Sequence, residues 1–167
     1  NAMFRAIRDM QEDTRCSIKN FEKTVAVSTE ELPLASFTYD LSSADYGYEA
    51  GITATVNLIY VHTIYDITET DPVVVYDADK EYMDDGVYED AGKYGAVTFD
   101  SSSLKLFTNF DLNGITLRIR ANFVVDYVEG EFAKGTKVNL LINTIPVNLH
   151  RYLEDGIKAY VFKSLFE

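Results

Sequence analysis

Residues 104–123 read LKLFTNFDLNGITLRIRANF and place an Asn-Gly pair between two strand-like runs. Asn113-Gly114 is the preferred dipeptide for a two-residue type I′ turn, because both central residues of that turn need positive φ. The flanking runs alternate apolar and polar residues, as half-buried strands do. The sequence therefore predicts a β-hairpin with strands near Leu104–Leu112 and Ile115–Tyr127.

Pairing the two predicted strands about this turn sorts their side chains by face. The apolar face is expected to bury Leu106, Phe110, Leu117, Ile119 and Phe123. The polar face carries Lys105, Phe107, Asn109, Arg118, Arg120 and Asn122. A slip of one residue would mix the two faces, so the register of the predicted hairpin is well specified.

Further strand-like segments lie on both sides of the hairpin. They are rich in β-branched and aromatic residues and fall near 35–41, 52–65, 73–76, 96–99 and 137–145. Strands do not alternate with helices along the chain, which argues against a parallel nucleotide-binding sheet. The expected fold is mainly β (α+β), an antiparallel sandwich or partly closed barrel of about seven strands.

A helix is predicted near each end of the chain. Residues 3–23 place Phe4, Ile7, Ile18 and Phe21 at helical spacing. Near the other end, Asn148 is the expected N-cap of a helix with a broad apolar stripe. That stripe comprises Leu149, Tyr152, Leu153, Ile157, Tyr160, Val161 and Leu165. We expect one domain over residues 3–167, with residues 1–2 a remnant of cloning before a native start at Met3.

The charge of the chain narrows the classes of partner. Its 167 residues include 27 acidic and 15 basic side chains, for a formal net charge of −12. General binding to a phosphate backbone requires clustered Lys and Arg, so nucleic acid is not an expected partner. No run of about eighteen apolar residues occurs, so we expect no membrane span and a protein made in the cytoplasm.

The sequence contains few residues that carry chemistry. Cys16 is the only cysteine and His62 and His150 are the only histidines. This excludes a disulfide within the chain and argues against a Cys/His zinc site. Phosphate-binding loops and nucleophile elbows are absent from the sequence. We expect no catalytic residue, no metal and no cofactor, and we interpret His62 as a structural histidine.

Residues 66–92 form the most unusual stretch, with ten acidic side chains and one lysine. Tyrosines recur there at every sixth position. Because Tyr buries a large area at a low cost in entropy, this acidic-tyrosine segment is interpreted as a recognition surface. The residues expected to take part are Tyr76, Tyr82, Tyr88, Asp77, Asp79, Asp84 and Asp85. The alternative is a solvated loop that one or two tyrosines anchor to the core.

A basic stripe is expected on the polar face of the hairpin. Lys105, Arg118 and Arg120 share that face, and Phe107 would lie opposite Arg120 for a cation–π contact. The stripe and the acidic-tyrosine segment could complement each other between neighbouring copies of the chain. Such a contact is head-to-tail and closes into a ring when the rotation allows. The alternative is an ordinary solvated sheet face.

Residues 145–160 read IPVNLHRYLEDGIKAY. With the leading helix and the hairpin-rich centre, this terminal helix resembles those of small virion proteins in the neck and tail of tailed bacteriophages. The resemblance implies a non-catalytic structural subunit that interacts with other proteins and forms a homo-oligomer within the virion. It rests on under a fifth of the chain and transfers no site residue.

Two other functions fit the same features. An acidic immunity or inhibitor protein would use the acidic-tyrosine segment to mask a basic partner, and would be a monomer in solution. A hydrolase would need two carboxylates of that segment to converge in a cleft with separated pKa values.

Asp77-Ala78-Asp79 begins like a calcium loop, but Tyr82 replaces the required glycine and Tyr88 occupies the twelfth position. Calorimetric titration should therefore show no calcium binding tighter than about 10 μM, within the weaker range of sensor sites. A submicromolar site that involves Asp77 and Asp79 would contradict this expectation and would favour the hydrolase.

Overall fold

The computed structural model describes residues 2–34, 36–40, 53–80, 92–100, 103–125 and 144–166. Within these residues the elements are, in order, α1 (Ala2–Thr14), β1 (Ile18–Thr24), β2 (Glu31–Pro33), β3 (Ser36–Asp40), β4 (Thr53–Asp66), β5 (Val73–Asp77), β6 (Gly95–Asp100), β7 (Ser103–Thr108), β8 (Thr116–Val125), a 3-10 turn (Val147–Leu149) and α2 (His150–Phe166). The prediction of a mainly β fold with a helix near each end is confirmed.

The strands form two sheets. The larger sheet has the order β1-β8-β4-β3, and β5 also pairs with β4, while the smaller sheet has the order β2-β7-β6. The pairs β1–β8, β3–β4, β4–β5, β2–β7 and β6–β7 are antiparallel. Within the described residues neither sheet closes on itself, so of the two predicted architectures the sandwich fits and the barrel does not.

The chain divides into two compact units. The first comprises Asn1–Ser17, Ser36–Asn57 and Phe123–Glu167, and the second comprises Ile18–Ala35 and Leu58–Asn122. Both helices and β3 belong to the first unit, and β1, β2, β5, β6 and β7 belong to the second. Strands β4 and β8 contribute residues to both.

The predicted hairpin between β7 and β8 is wrong, because these two strands lie in different sheets. A turn does form at the predicted place: the Ile115 amide donates to the Leu112 carbonyl at 3.0 Å. Gly114 has φ +78°, whereas Asn113 does not have positive φ. Positive φ at the third turn residue alone is the type II pattern, whose twist does not return a strand alongside its predecessor.

The apolar face of β7 and β8 was nevertheless predicted correctly, whereas Asn122, expected on the polar face, is buried. Leu106, Leu117, Ile119 and Phe123 are at most 1% exposed. The side-chain period of a strand fixes which residues point inward, but it does not identify the neighbouring strand. β7 pairs with β6 and β2, and β8 pairs with β1, which places Ile119 opposite Phe21. Phe110 lies in the connection between them and is only half-buried.

Helix α1 ends nine residues earlier than predicted. The chain leaves the helix at Arg15, whose φ is +50° and whose amide donates to the Gln11 carbonyl. β1 follows, and Phe21 is the one fully buried side chain of that strand. Ile18 and Phe21 fit helical spacing equally well, so the periodicity of so short a segment did not distinguish helix from strand.

A buried hydrogen-bond network connects parts of the first unit that are distant in sequence. Gln11 is fully buried, and its Nε2 donates to Ser17 Oγ and to Thr144 Oγ1. Its Oε1 accepts from the Val125 amide at 2.8 Å, and Ser17 Oγ donates to the Thr144 carbonyl at 2.7 Å. Both ends of the buried amide are therefore satisfied, as burial of a polar side chain requires.

The C-terminal region differs from prediction in three ways. Of the strand expected over 137–145, residues 137–143 lie outside the described residues, and Thr144 and Ile145 form a buried turn. Asn148 is not the N-cap, because it lies inside the 3-10 turn that precedes α2. Within α2, Leu153 is the one fully buried residue, although a broad buried stripe was expected.

Phe123→Ala should lower the free energy of unfolding by about 3–5 kcal/mol, because it leaves a cavity where a fully buried ring had been. Phe107→Ala is the matched control, since that ring is 40% exposed on β7 and its loss should cost far less. Urea unfolding of both variants gives the comparison. Equal losses of stability would contradict the placement of the two rings.

Asp111 holds the β7–β8 connection against residues 28–29. Its Oδ1 accepts from the amides of Asn113 and Thr29, and its Oδ2 accepts from the Ser28 hydroxyl. These hydrogen bonds, the Asn113 amide foremost and then the Ser28 hydroxyl, lower the pKa of Asp111 below its ordinary value of 3.8. They favour the ionised carboxylate.

Since the pKa of Asp111 is lower in the folded chain, its contribution to stability is present above the unfolded pKa and is lost as pH falls through the folded pKa. Asp111→Asn should therefore lower the free energy of unfolding at neutral pH, and the difference from wild type should shrink below about pH 4. Urea titrations across that range provide the measurement. Asp71→Asn, in an exposed connection, is the control and should leave stability unchanged. A pH-independent difference at Asp111 would show that the charge is not involved.

Candidate interaction surface

Helix α2 exposes an unusual number of large apolar side chains. Tyr152 is 64% exposed, Phe162 63%, Leu165 72% and Phe166 81%. Isolated exposed apolar residues are normal on a soluble protein, but clusters of them mark interaction sites. With Val161, which is also exposed, five such residues on one 17-residue helix identify α2 as the candidate surface.

These residues are arranged along the helix rather than scattered. Tyr152, Asp155, Ala159, Phe162 and Phe166 are all exposed and are spaced by 3, 4, 3 and 4 residues. We call these five residues the α2 stripe. This spacing places them along one side of an α-helix and is the repeat of helices that pack against another helix. The Phe162 and Phe166 rings stack with their centroids 6.0 Å apart.

The other side of α2 faces α1 within the first unit. Leu153 is buried, and a β-carbon added at Gly156 would lie 3.6 Å from the Ala6 methyl. The Tyr160 hydroxyl donates a hydrogen bond to Asp9 Oδ2. Gly156 and Tyr160 therefore mark the side that α1 contacts, and the exposed residues of the stripe lie outside that contact.

One pair of charged side chains on α2 stabilises the helix itself. Lys158 Nζ lies 2.8 Å from Glu154 Oε1, one helical turn away. The hydrogen bond and the positive charge of Lys158 lower the pKa of Glu154, and the same hydrogen bond and the negative charge of Glu154 raise the pKa of Lys158. Glu four residues before Lys is the favourable order on a helix, so the pair stabilises α2 without any neighbour.

The predicted basic stripe is divided between the two sheets. Lys105 and Phe107 lie on β7, whereas Arg118 and Arg120 lie on β8. Lys105 Nζ pairs with Glu31 Oε1 of the adjacent strand at 2.8 Å. The expected cation–π contact between Phe107 and Arg120 is therefore wrong, because the hairpin that would have made it does not form.

Arg118 and Arg120 do come together, at a groove of about 380 Å³ on the larger sheet. Its lining residues are Asn20, Thr63, Tyr65, Pro72, Arg118 and Arg120. Arg118 lies 3.7 Å from Glu22, and both side chains are substantially exposed, so water screens this ion pair. Two guanidinium groups beside polar side chains could accept an anionic group, which makes this groove a secondary candidate surface.

The acidic-tyrosine segment is described only in part. Tyr82, Tyr88, Asp84 and Asp85 lie outside the described residues. Tyr76 is 6% exposed, so its place is in the core and its assignment to an interface is wrong.

Two of the described acids of that segment serve local turns. Asp77 Oδ1 accepts from the Asp79 amide, and Asp66 Oδ1 accepts from the amide and hydroxyl of Thr68. Such bonds between a carboxylate and the residue two positions on are common in tight turns. No group of three or more His, Cys, Asp or Glu side chains that could hold a metal occurs among the described residues.

Both histidines make structural hydrogen bonds. His62 Nε2 lies 2.7 Å from Asn122 Oδ1. The His62 and Tyr60 rings form a T-shaped pair whose centroids are 4.8 Å apart. His150 Nε2 lies 2.8 Å from the Ile145 carbonyl and fixes the start of α2. These contacts agree with the interpretation of His62 as a structural histidine.

Sequence reasoning identified α2 but placed its apolar side chains in the core and omitted Phe162 and Phe166. The 3-4 spacing of the stripe was the available signal.

Comparison with protein-family models, with curated proteins and with solved structures gave no match. Neither described helix is both long enough and apolar enough to cross a membrane.

Proposed function

We propose that this chain is a non-catalytic assembly subunit that associates with copies of itself through α2. The observation that carries the proposal is the α2 stripe, which exposes three aromatic side chains and an alanine on one side of the helix. Neck or tail assembly in a tailed bacteriophage particle is the biological setting we propose. That setting rests on the resemblance of residues 145–160 to the helices of such proteins.

The magnitudes favour an apolar contact over a charged one. Full burial of one large apolar side chain contributes roughly 1.5–3 kcal/mol. An exposed ion pair contributes about 0–1 kcal/mol, and the arginines of the sheet groove would form pairs of that kind. Covering Tyr152, Phe162 and Phe166 therefore offers more free energy than any contact made by Arg118 and Arg120 alone. We therefore expect the stripe to supply the affinity of self-association, and the charged side chains to contribute at most to its selectivity.

The described chemistry-bearing side chains also fit a structural role. His62 is held by Asn122, the Gln11 side chain makes hydrogen bonds to Ser17, Thr144 and Val125, and Asp111 organises a turn. None of these arrangements sets an acid and a base at opposite sides of a cleft, as hydrolysis by paired carboxylates needs.

Light scattering of the purified chain tests the proposal. We expect the wild type to be a multimer of the 18.9 kDa chain, and Phe162→Glu with Phe166→Glu to be a monomer of unchanged circular dichroism. Phe107→Glu is the control, because it places a negative charge at an exposed ring of β7 and should leave the mass unchanged.

A wild type that stays monomeric at high concentration would overturn self-association and would favour the acidic inhibitor. Dissociation by Arg118→Glu with Arg120→Glu, but not by the α2 substitutions, would transfer the interface to the sheet groove.

A further inference from the structure

The α2 stripe contains one charged residue in an otherwise apolar row, and this residue constrains how a second helix can lie on it. Asp155 stands between Tyr152 and Ala159, and all three are exposed. A parallel pairing of two identical helices would place Asp155 against Asp155, and like charges held close together repel. An antiparallel pairing can avoid that contact.

One antiparallel register satisfies both the charges and the shapes. If Ala159 lies on a two-fold axis, Tyr152 falls opposite Phe166 and Asp155 falls opposite Lys163, and each contact occurs twice. Lys163 is exposed in the last part of α2. Ala159 at the axis has a small side chain, which lets two helices approach closely.

We propose that two copies of this chain pair through α2 in this antiparallel, two-fold register. This inference rests on the proposed function and specifies its partner, a second copy, and its geometry. The contact is isologous, since each copy presents the same stripe. Charge complementarity sets the register, while the aromatic residues at the two ends of the stripe supply the buried apolar area.

The register predicts a specific pattern of charge reversal. Asp155→Lys and Lys163→Asp should each weaken dimerisation about tenfold, because each creates two like-charge contacts. The double variant Asp155→Lys with Lys163→Asp should recover wild-type affinity. Mixing the two single variants should give a heterodimer that is tighter than either homodimer. Sedimentation equilibrium on the full chain measures the dissociation constants of the wild type, the two single variants, the double variant and the heterodimer.

Cysteine cross-linking reports the same geometry without altering charge. In a Cys16→Ser background, Ala159→Cys should form an intermolecular disulfide on mild oxidation, since residue 159 meets itself at the axis. Ser164→Cys is the control, because Ser164 is exposed but lies on the side of α2 away from the stripe. It should remain reduced under the same conditions.

The outcomes separate this inference from the function on which it rests. A dimer whose affinity is unchanged by the single reversals, or not restored by the double variant, would overturn the register and leave self-association standing. Cross-linking at Ser164 rather than at Ala159 would do the same. A monomeric wild type would overturn both and leave the stripe to a different protein partner.

Discussion

Strand β8 is the constraint on which the rest of the structure depends. Residues 121–125 are all buried, and Leu117 and Ile119 are fully excluded from solvent. A buried strand requires hydrogen-bond partners for its backbone on both edges, because an unpaired amide in the core is costly. β1 and β4 occupy those edges, and at the end of the strand the Val125 amide donates to the Gln11 side chain. No edge of β8 is then left for β7, which explains why the Asn-Gly turn does not produce a hairpin.

The local features of the fold could be predicted from the sequence, because they depend on short-range periodicity. Alternation predicted the inward residues of β7 and β8, and β-branched runs located β3, β4, β5 and β6. What it could not supply was the choice of strand partners, since pairing is a competition between segments distant along the chain. β1 was missed for this reason: Phe21 gains its burial from Ile119, almost a hundred residues away. Gln11, which only interrupted an apolar stripe in the sequence, holds the end of β8 through its side chain.

The candidate surface was likewise only partly predictable from the sequence. The helix at α2 was predictable from its spacing, whereas the side of the helix that would be covered was not. α1 contacts α2 at Gly156, through a helical face too narrow to cover Tyr152 or Phe162. The predicted basic stripe differs from the structure for another reason. Its cations were correctly expected to point outward, but they belong to different sheets and Lys105 is already paired with Glu31.

Apolar area and charge therefore have separate roles in the proposed pairing of two α2 helices. In the proposed pair, Tyr152 and Phe166 supply the free energy of association, and Asp155 and Lys163 select one orientation among those that bury the rings. Pulsed electron paramagnetic resonance on a chain spin-labelled at Arg151→Cys, with Cys16→Ser, tests this most directly. Residue 151 lies eight positions from the proposed axis, so at a rise of about 1.5 Å per residue the two labels should be about 25 Å apart. A main distance near 10 Å, as parallel helices at their usual spacing would give, or the absence of any dipolar coupling, would contradict the antiparallel pair.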